Sequence, residues 1–156
     1  MTLREPVHLE DPRTIGPVHF IAIGGAGMSG VARAYAELGA EVSGSDQVNS
    51  TRLESLKAMG VRTWVGHDPS HVHGARTVVV SSAIHDDNPE LVEARRLGLR
   101  IWHRSAALAA LMLGRQGVSV AGTHGKTTTS AIIASILTDA GMDPSYVIGS
   151  PLATSG

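Results

Sequence analysis

The segment 25–30 carries glycines in the G-x-G-x-x-G spacing that lets a backbone turn tightly and approach a pyrophosphate. An apolar stretch, 18–23, precedes it, and apolar residues at helical spacing follow it. In that order, the amides at the start of the helix bind phosphate. Asp46 lies 21 positions after Gly25, where a carboxylate can accept hydrogen bonds from ribose hydroxyls. The pattern predicts a nucleotide-type ligand; the alternative is a glycine turn that only allows close helix–strand packing.

A second phosphate-type turn lies near residue 125, where a Gly-Lys-Thr core stands between an apolar stretch and a helical pattern. In a P-loop, backbone amides hold the phosphates, the lysine reaches the β and γ oxygens, and the Thr hydroxyl binds Mg²⁺. Val120 replaces the usual first glycine, so the loop begins at Gly122. The motif predicts Lys126 and Thr127 as catalytic, with Thr127 the metal ligand. The predicted ATP-binding residues are Gly122, Thr123, His124, Gly125, Lys126, Thr127 and Thr128.

Four polar side chains crowd one short segment: His67, Asp68, His71 and His73. They could suggest a metal site, but the proline, serine and glycine among them favour a solvated loop. A separate ligand contact by His67 is expected, because His67 follows Gly66 just after a predicted strand. Ser81 and Ser82 end another strand, and their hydroxyls could either contact a ligand or bond the next turn.

Strands and helices alternate along the chain, which predicts an α/β fold with a parallel sheet. We expect a Rossmann-like domain over residues 1–115, followed by the first strand, P-loop and helix of an ATP-binding domain over 116–156. The helix after residue 87 has a clear start, since Asn88 can cap it and Pro89 tolerates its first turn. The predicted strands are 18–23, 41–45, 62–65, 76–81, 101–102 and 118–121. The predicted helices lie near 31–38, 53–59, 88–97, 106–113 and 126–140.

Composition excludes several classes of protein. The chain has 13 basic and 14 acidic residues, a net charge of -1 and no basic block, which argues against nucleic acid as a partner. It has no Cys, so disulfides and thiolate metal sites are excluded. The N-terminal residues lack the apolar run of a signal peptide, and the longest apolar runs are too short to span a membrane. We therefore expect a cytoplasmic protein without membrane segments.

These motifs together resemble the Mur ligase family of peptidoglycan synthesis. Within that family, the first glycine turn favours the member that joins L-alanine to UDP-N-acetylmuramate over the related member that attaches a murein peptide. One departure is Gly149-Ser150, where the family pattern has two glycines. The stretches that carry the resemblance are 19–30, 43–46, 66–67, 81–84, 87–90 and 121–129.

The resemblance implies a three-domain ligase in which ATP phosphorylates the substrate carboxylate and the alanine amine attacks the acyl phosphate. Its amino-acid site and further Mg²⁺ ligands would lie beyond residue 156, so we expect these residues alone to be inactive; dimerisation through the second domain is a further expectation. Two other readings of the motifs are an NAD-dependent oxidoreductase, with Asp46 on the ribose, and a non-catalytic nucleotide-binding module. The residues implied to bind the UDP-sugar are Gly25, Ala26, Gly27, Met28, Ser29, Asp46, His67 and Ser82.

Overall fold

The computed structural model describes residues 7–148. They belong to two compact units that divide after Arg115. The departure noted at Gly149-Ser150 lies outside the described residues. Within the described range, no helix is both long enough and apolar enough to cross a membrane.

The first unit is a five-stranded sheet in which every neighbouring pair of strands is parallel, in the order β3-β2-β1-β4-β5. Its strands are β1 (Val18–Ile21), β2 (Val42–Asp46), β3 (Arg62–Val65), β4 (Thr77–Val80) and β5 (Arg100–His103). Its helices are α1 (Ala26–Glu37), α2 (Thr51–Ala58), α3 (Pro89–Arg96) and α4 (Arg104–Ala110), with a 3-10 turn at Pro69–Val72. The predicted α/β fold with a parallel sheet is confirmed.

Helices cover both faces of this sheet, and alternate side chains of each strand therefore enter different cores. On β4, Val79 belongs to the core that also holds residues of α1, α2 and α4. Its neighbours Val78 and Val80 belong to a second core with Leu91 of α3. All four residues of β4 are buried, which explains its unbroken β-branched sequence.

Side chains of capping residues stabilise the starts of α2 and α3. The Asn88 side chain accepts hydrogen bonds from the amides of Glu90 and Leu91, with Pro89 in the first turn, as predicted. Ser50 caps α2 by accepting from the Leu53 amide at 3.2 Å. These caps satisfy amides that have no partner within the helix.

Gly44, inside β2, leaves space that the neighbouring chain segment fills. A Cβ at this position would lie 2.6 Å from the Phe20 carbonyl oxygen and 2.6 Å from the Ile23 Cδ1. Because Ile23 is fully buried, it occupies the volume that a side chain at residue 44 would need. The glycine thus lets the chain beyond β1 pack closely against β2.

The second unit contains one long helix, α5 (Lys126–Asp139). The predicted strand over 118–121 is wrong, because the structure assigns no strand to the described residues after 116. A strand needs a hydrogen-bonded neighbour, and Val118 is 67% exposed. Ile132 and Ile136 on α5 are also more than half exposed, at 54% and 60%. Packing that would stabilise these residues is therefore missing within this unit.

We predict that the second unit exchanges its amide hydrogens much faster than the sheet. The amides of residues 131–137 should open locally at little free-energy cost, since few apolar contacts hold α5. The amides of Val78–Val80 should open only when the first unit unfolds. Hydrogen exchange followed by mass spectrometry on the monomeric 156-residue chain measures both. Equal protection of the two segments would contradict this prediction.

Candidate functional site

The sheet order reverses between β1 and β4. The chain runs outward from β1 through β2 to β3, and then returns to place β4 and β5 on the other side. In an open parallel sheet, this switch point leaves a crevice at the carboxyl ends of the strands, where ligands bind. The glycine turn after β1 and the segment that begins at Ser81 after β4 both lie at this edge.

The glycine turn presents unpaired amides at the start of α1. The amides of Met28 and Ser29 both donate to the Gly25 carbonyl. The amides of Ala26 and Gly27, the first two residues of α1, have no hydrogen-bond acceptor among residues 7–148. Free amides and the positive end of the helix dipole favour an anion here.

Asp46 holds this turn in place. Its Oδ2 accepts a hydrogen bond from the Gly24 amide at 2.9 Å, which joins the end of β2 to the residue before the turn. Ala22, which begins the turn, has a φ of 61°, a conformation that is costly for a residue with a side chain. The Gly25 amide bonds the Ala22 carbonyl at 3.2 Å. Sequence reasoning placed Asp46 on a ribose, whereas here one of its oxygens supports the protein backbone.

Arg104 is a residue that the motifs did not reveal. A Cβ built on Gly27 would collide with the Arg104 guanidinium, so this side chain reaches the glycine turn. Arg104 begins α4, and α4 is tied to α1 by the hydroxyl of Tyr35, which donates to the Ala107 carbonyl at 3.0 Å. Burial raises the pKa of that hydroxyl. Only the parallel order of β1, β4 and β5 brings Arg104 to the turn, which no local pattern indicates.

The other predicted UDP-sugar residues fall into two groups. Met28 is buried in the core beneath α1, so its side chain faces away from solvent. Ser29 is partly exposed, and its hydroxyl donates to the Ala26 carbonyl at 3.3 Å. Ser82 is exposed in the turn after β4. Any contact of Met28 with a ligand must therefore use its backbone.

A buried polar cluster lies on one face of the sheet beside this edge. The pleat places His19, Ser43 and Ser45 on the same face, because His19 pairs with Ser43 in the ladder and Ser45 follows two residues later. Glu90 of α3 is fully buried among them. Its Oε2 accepts from the Ser45 hydroxyl at 2.5 Å and lies 3.1 Å from His67 Nδ1. Its Oε1 lies 2.7 Å from His71 Nδ1.

Burial alone would raise the pKa of Glu90. Hydrogen bonds and charge from the surrounding imidazoles, together with the Ser45 hydroxyl, outweigh burial and lower that pKa to about 2. The nearest other imidazole is that of His19, whose Nε2 lies 3.7 Å from Oε2, too far for a hydrogen bond. The carboxylate is thus ionised and satisfied without solvent.

The solvated loop predicted for His67 to His73 is therefore wrong for two of its histidines. The side chains of His67 and His71 are only 12% and 13% exposed, because both bond Glu90. The His71 ring also stacks on Trp64, with ring centres 4.5 Å apart. His73 alone is solvated, with 58% of its side chain exposed. No group of His, Cys, Asp or Glu that could hold a metal occurs within 7–148.

The second phosphate-type turn has the backbone that its glycines allow. Gly125 caps α5 with a φ of 78°, a left-handed conformation that favours glycine. The Lys126 ammonium folds over the loop and donates to the carbonyls of Gly122 and Thr123. Thr123, His124, Thr127 and Thr128 are exposed. The ammonium and the amides at the start of α5 are hydrogen-bond donors that fit a phosphate. The exposed Thr127 hydroxyl offers an oxygen that fits Mg²⁺.

Comparison with known proteins decides the family. The model of the Mur ligase family, catalytic domain, matches residues 17–116. The chain belongs to the Mur ligase family. A Cutibacterium acnes relative named UDP-N-acetylmuramate--L-alanine ligase is 75% identical over all 156 residues, and one of the same name from Thermobifida fusca is 56% identical. The chain spans only about a third of the length of these relatives, 33% of each.

Solved structures of Mur ligases share the fold. The UDP-N-acetylmuramate-alanine ligase MurC from Thermotoga maritima matches with a TM-score of 0.75 and 33% identity, over 80% of this chain and 30% of that one. A UDP-N-acetylmuramate:L-alanyl-gamma-D-glutamyl-meso-diaminopimelate ligase from Neisseria meningitides matches with a TM-score of 0.80 and 31% identity, over 87% and 43%. Neither the oxidoreductase reading nor the non-catalytic reading is supported by these relatives.

We predict that Glu90 stabilises this Mur ligase chain in a pH-dependent way. Its folded-state pKa of about 2 lies below the ordinary value of 4.5, so its contribution is complete above about pH 4.5 and disappears as pH falls toward 2. Glu90→Gln leaves one acceptor oxygen for the Ser45, His67 and His71 donors. It should lower the free energy of unfolding at pH 7 by on the order of 2 kcal/mol.

Urea unfolding at pH 7, 4.5 and 3 measures this difference. The difference in the free energy of unfolding between wild type and Glu90→Gln should become smaller from pH 4.5 to pH 3. The matched control is Glu37→Gln, which changes an exposed carboxylate on α1 and should have little effect at any of these pH values. A gap of constant size would contradict the assignment of the lowered pKa to folding stability.

Proposed function

We propose that this chain is the N-terminal part of an ATP-dependent ligase that joins L-alanine to UDP-N-acetylmuramate. The observation that carries the proposal is the match along all 156 residues, through both glycine turns, to relatives with that name. The first unit would bind the UDP-sugar, and the second would begin the ATP-binding domain. A cytoplasmic location and a dimer formed through the second unit remain expectations of the proposal.

The UDP pyrophosphate would bind at the turn after β1. The free amides of Ala26 and Gly27 supply hydrogen-bond donors, and the absence of a side chain at residue 27 leaves the space that the Arg104 guanidinium occupies. The Arg104 guanidinium adds a positive charge at the same turn, and its planar donors suit phosphate oxygens. Asp46 at the end of β2, His67 after β3 and Ser82 after β4 would contact the uridine or its sugar.

ATP and Mg²⁺ would bind at the turn before α5, through residues 122–128. Bound Mg²⁺·ATP supplies the γ-phosphoryl group that activates the substrate carboxylate for attack by the alanine amine. Lys126, which now bonds two loop carbonyls, would exchange those acceptors for phosphate oxygens and stabilise their charge. The Thr127 hydroxyl would hold the metal, and the amides that open α5 would orient the phosphates.

We predict that substitutions at the first turn weaken UDP-N-acetylmuramate binding in a graded way. Gly27→Val should abolish binding, because the added side chain displaces the Arg104 guanidinium and crowds the turn that the phosphate would approach. Arg104→Ala should weaken binding about tenfold, the value of one charge-assisted hydrogen bond at an exposed site. Isothermal titration calorimetry with UDP-N-acetylmuramate measures both affinities.

Arg96→Ala is the matched control, since Arg96 is an exposed arginine on α3 that pairs with Glu93. Its affinity should equal that of the wild type. Circular dichroism establishes that each variant keeps its fold. Wild-type affinity in folded Gly27→Val would show that the pyrophosphate does not bind at this turn.

We also predict that the 156-residue chain does not ligate L-alanine. Lys126 and Thr127 provide only part of a phosphoryl-transfer site, which requires in-line positioning of both reactants and a complete metal shell. A coupled assay for ADP should detect no alanine-dependent release with UDP-N-acetylmuramate and Mg-ATP present. Alanine-dependent ADP release by the purified chain would place the active site within these residues.

A further inference from the structure

The neighbours of His67, the histidine after β3, determine which of its two ring nitrogens carries the hydrogen. His67 Nδ1 lies 2.9 Å from the Ser45 Oγ and 3.1 Å from the Glu90 Oε2. Ser45 has a single hydroxyl hydrogen, and that hydrogen is donated to the same Glu90 oxygen, 2.5 Å away. Both groups that face Nδ1 therefore offer it lone pairs, so Nδ1 must carry the hydrogen.

The other nitrogen of this ring is free to meet a ligand. In a neutral imidazole with hydrogen on Nδ1, Nε2 is a hydrogen-bond acceptor. Among the described residues, Nε2 of His67 has no hydrogen-bond partner, and this atom is not buried.

The ring of His67 lies at the edge of the sheet where a nucleotide would bind. The Gly66 amide donates to the Asp46 carbonyl at 2.8 Å, which fixes the start of the His67 segment beside the end of β2. The Asp46 side chain holds the Gly24 amide, directly before the glycine turn. Hydrogen bonds and the backbone of residues 66–67 therefore connect Glu90 to the segment that supports the turn.

We infer that Glu90 is a positioning residue that fixes His67 as a hydrogen-bond acceptor for the nucleoside of the bound substrate. The inference rests on the proposed UDP site. The ligand group must be a donor, and a uridine nucleotide offers three such groups at this end: the uracil N3–H and the ribose 2′- and 3′-hydroxyls. Cytosine has an unprotonated N3, so its lone pair would oppose the lone pair of Nε2.

The hydrogen positions can be measured without any substitution. Long-range ¹H–¹⁵N correlation spectra of the labelled chain at pH 8 should show His67 with Nδ1 protonated and Nε2 unprotonated. Titration with UDP should shift the Nε2 resonance of His67 and leave that of the exposed His73 unchanged. A protonated Nε2 in the free chain, or no shift on saturation with UDP, would overturn the inference.

Comparison of UDP with three nucleotides, CDP, 2′-deoxy-UDP and 3′-deoxy-UDP, identifies the donor. If the uracil N3–H is the partner, CDP should bind about tenfold more weakly than UDP, while both deoxy nucleotides bind as UDP does. If a ribose hydroxyl is the partner, the nucleotide that lacks it should bind about tenfold more weakly and CDP should bind as UDP does. Equal affinity for UDP and all three would overturn the inference and leave the UDP site intact. Failure of UDP itself to bind would instead remove the proposed site.

Glu90→Met removes every carboxylate oxygen while it keeps the length of the side chain. In this variant His67 should populate both hydrogen positions, and the preference among the three nucleotides should fall to less than twofold. His73→Gln, outside the cluster, should keep the wild-type preference. If Glu90→Met keeps the wild-type hydrogen positions and preference, Glu90 is structural only and the inference fails. If Glu90→Met does not fold, the wild-type spectra and the three nucleotides still test whether His67 accepts a hydrogen bond from the nucleoside.

Discussion

A carboxylate can be buried in a protein only if hydrogen bonds replace the water that it loses, and Glu90 meets this condition by joining separate segments of the chain. Its two oxygens bond Ser45 of β2, His67 after β3 and His71 of the 3-10 turn, while its own helix follows β4. Each partner must be in place for the charge to be tolerated. The first unit therefore cannot move α3 or the 3-10 turn away from the sheet without breaking the hydrogen bonds that compensate the buried charge.

The sequence predicted those features that depend on local spacing. The unbroken run at β4, the Asn88-Pro89 helix start and the two glycine turns each depend on neighbouring residues. The structure has a strand at β4 and a helix after Asn88 and after each glycine turn. It did not predict the burial of Glu90, because a glutamate in a first helical turn is favoured by the helix dipole even when it is solvated. Nor did it predict Arg104 at the glycine turn, since that contact needs the spatial order of the strands.

The strand expected over 118–121 was wrong for a related reason. Its alternating valines have the composition of a strand, but a strand forms only when another strand accepts and donates its hydrogen bonds. β4 has such neighbours on both edges, whereas the described residues of the second unit contain none. Whether an apolar stretch becomes a strand thus depends on chain outside that stretch.

The two tryptophans of the chain lie on opposite sides of the sheet. Trp64 stacks on His71 beside the polar cluster, and Trp102 is buried in the core beneath α1 and α4. Both belong to the first unit, and the second unit contains no tryptophan. Intrinsic tryptophan fluorescence of this protein therefore reports the environment of the sheet and its two covering layers, and α5 contributes no tryptophan to it.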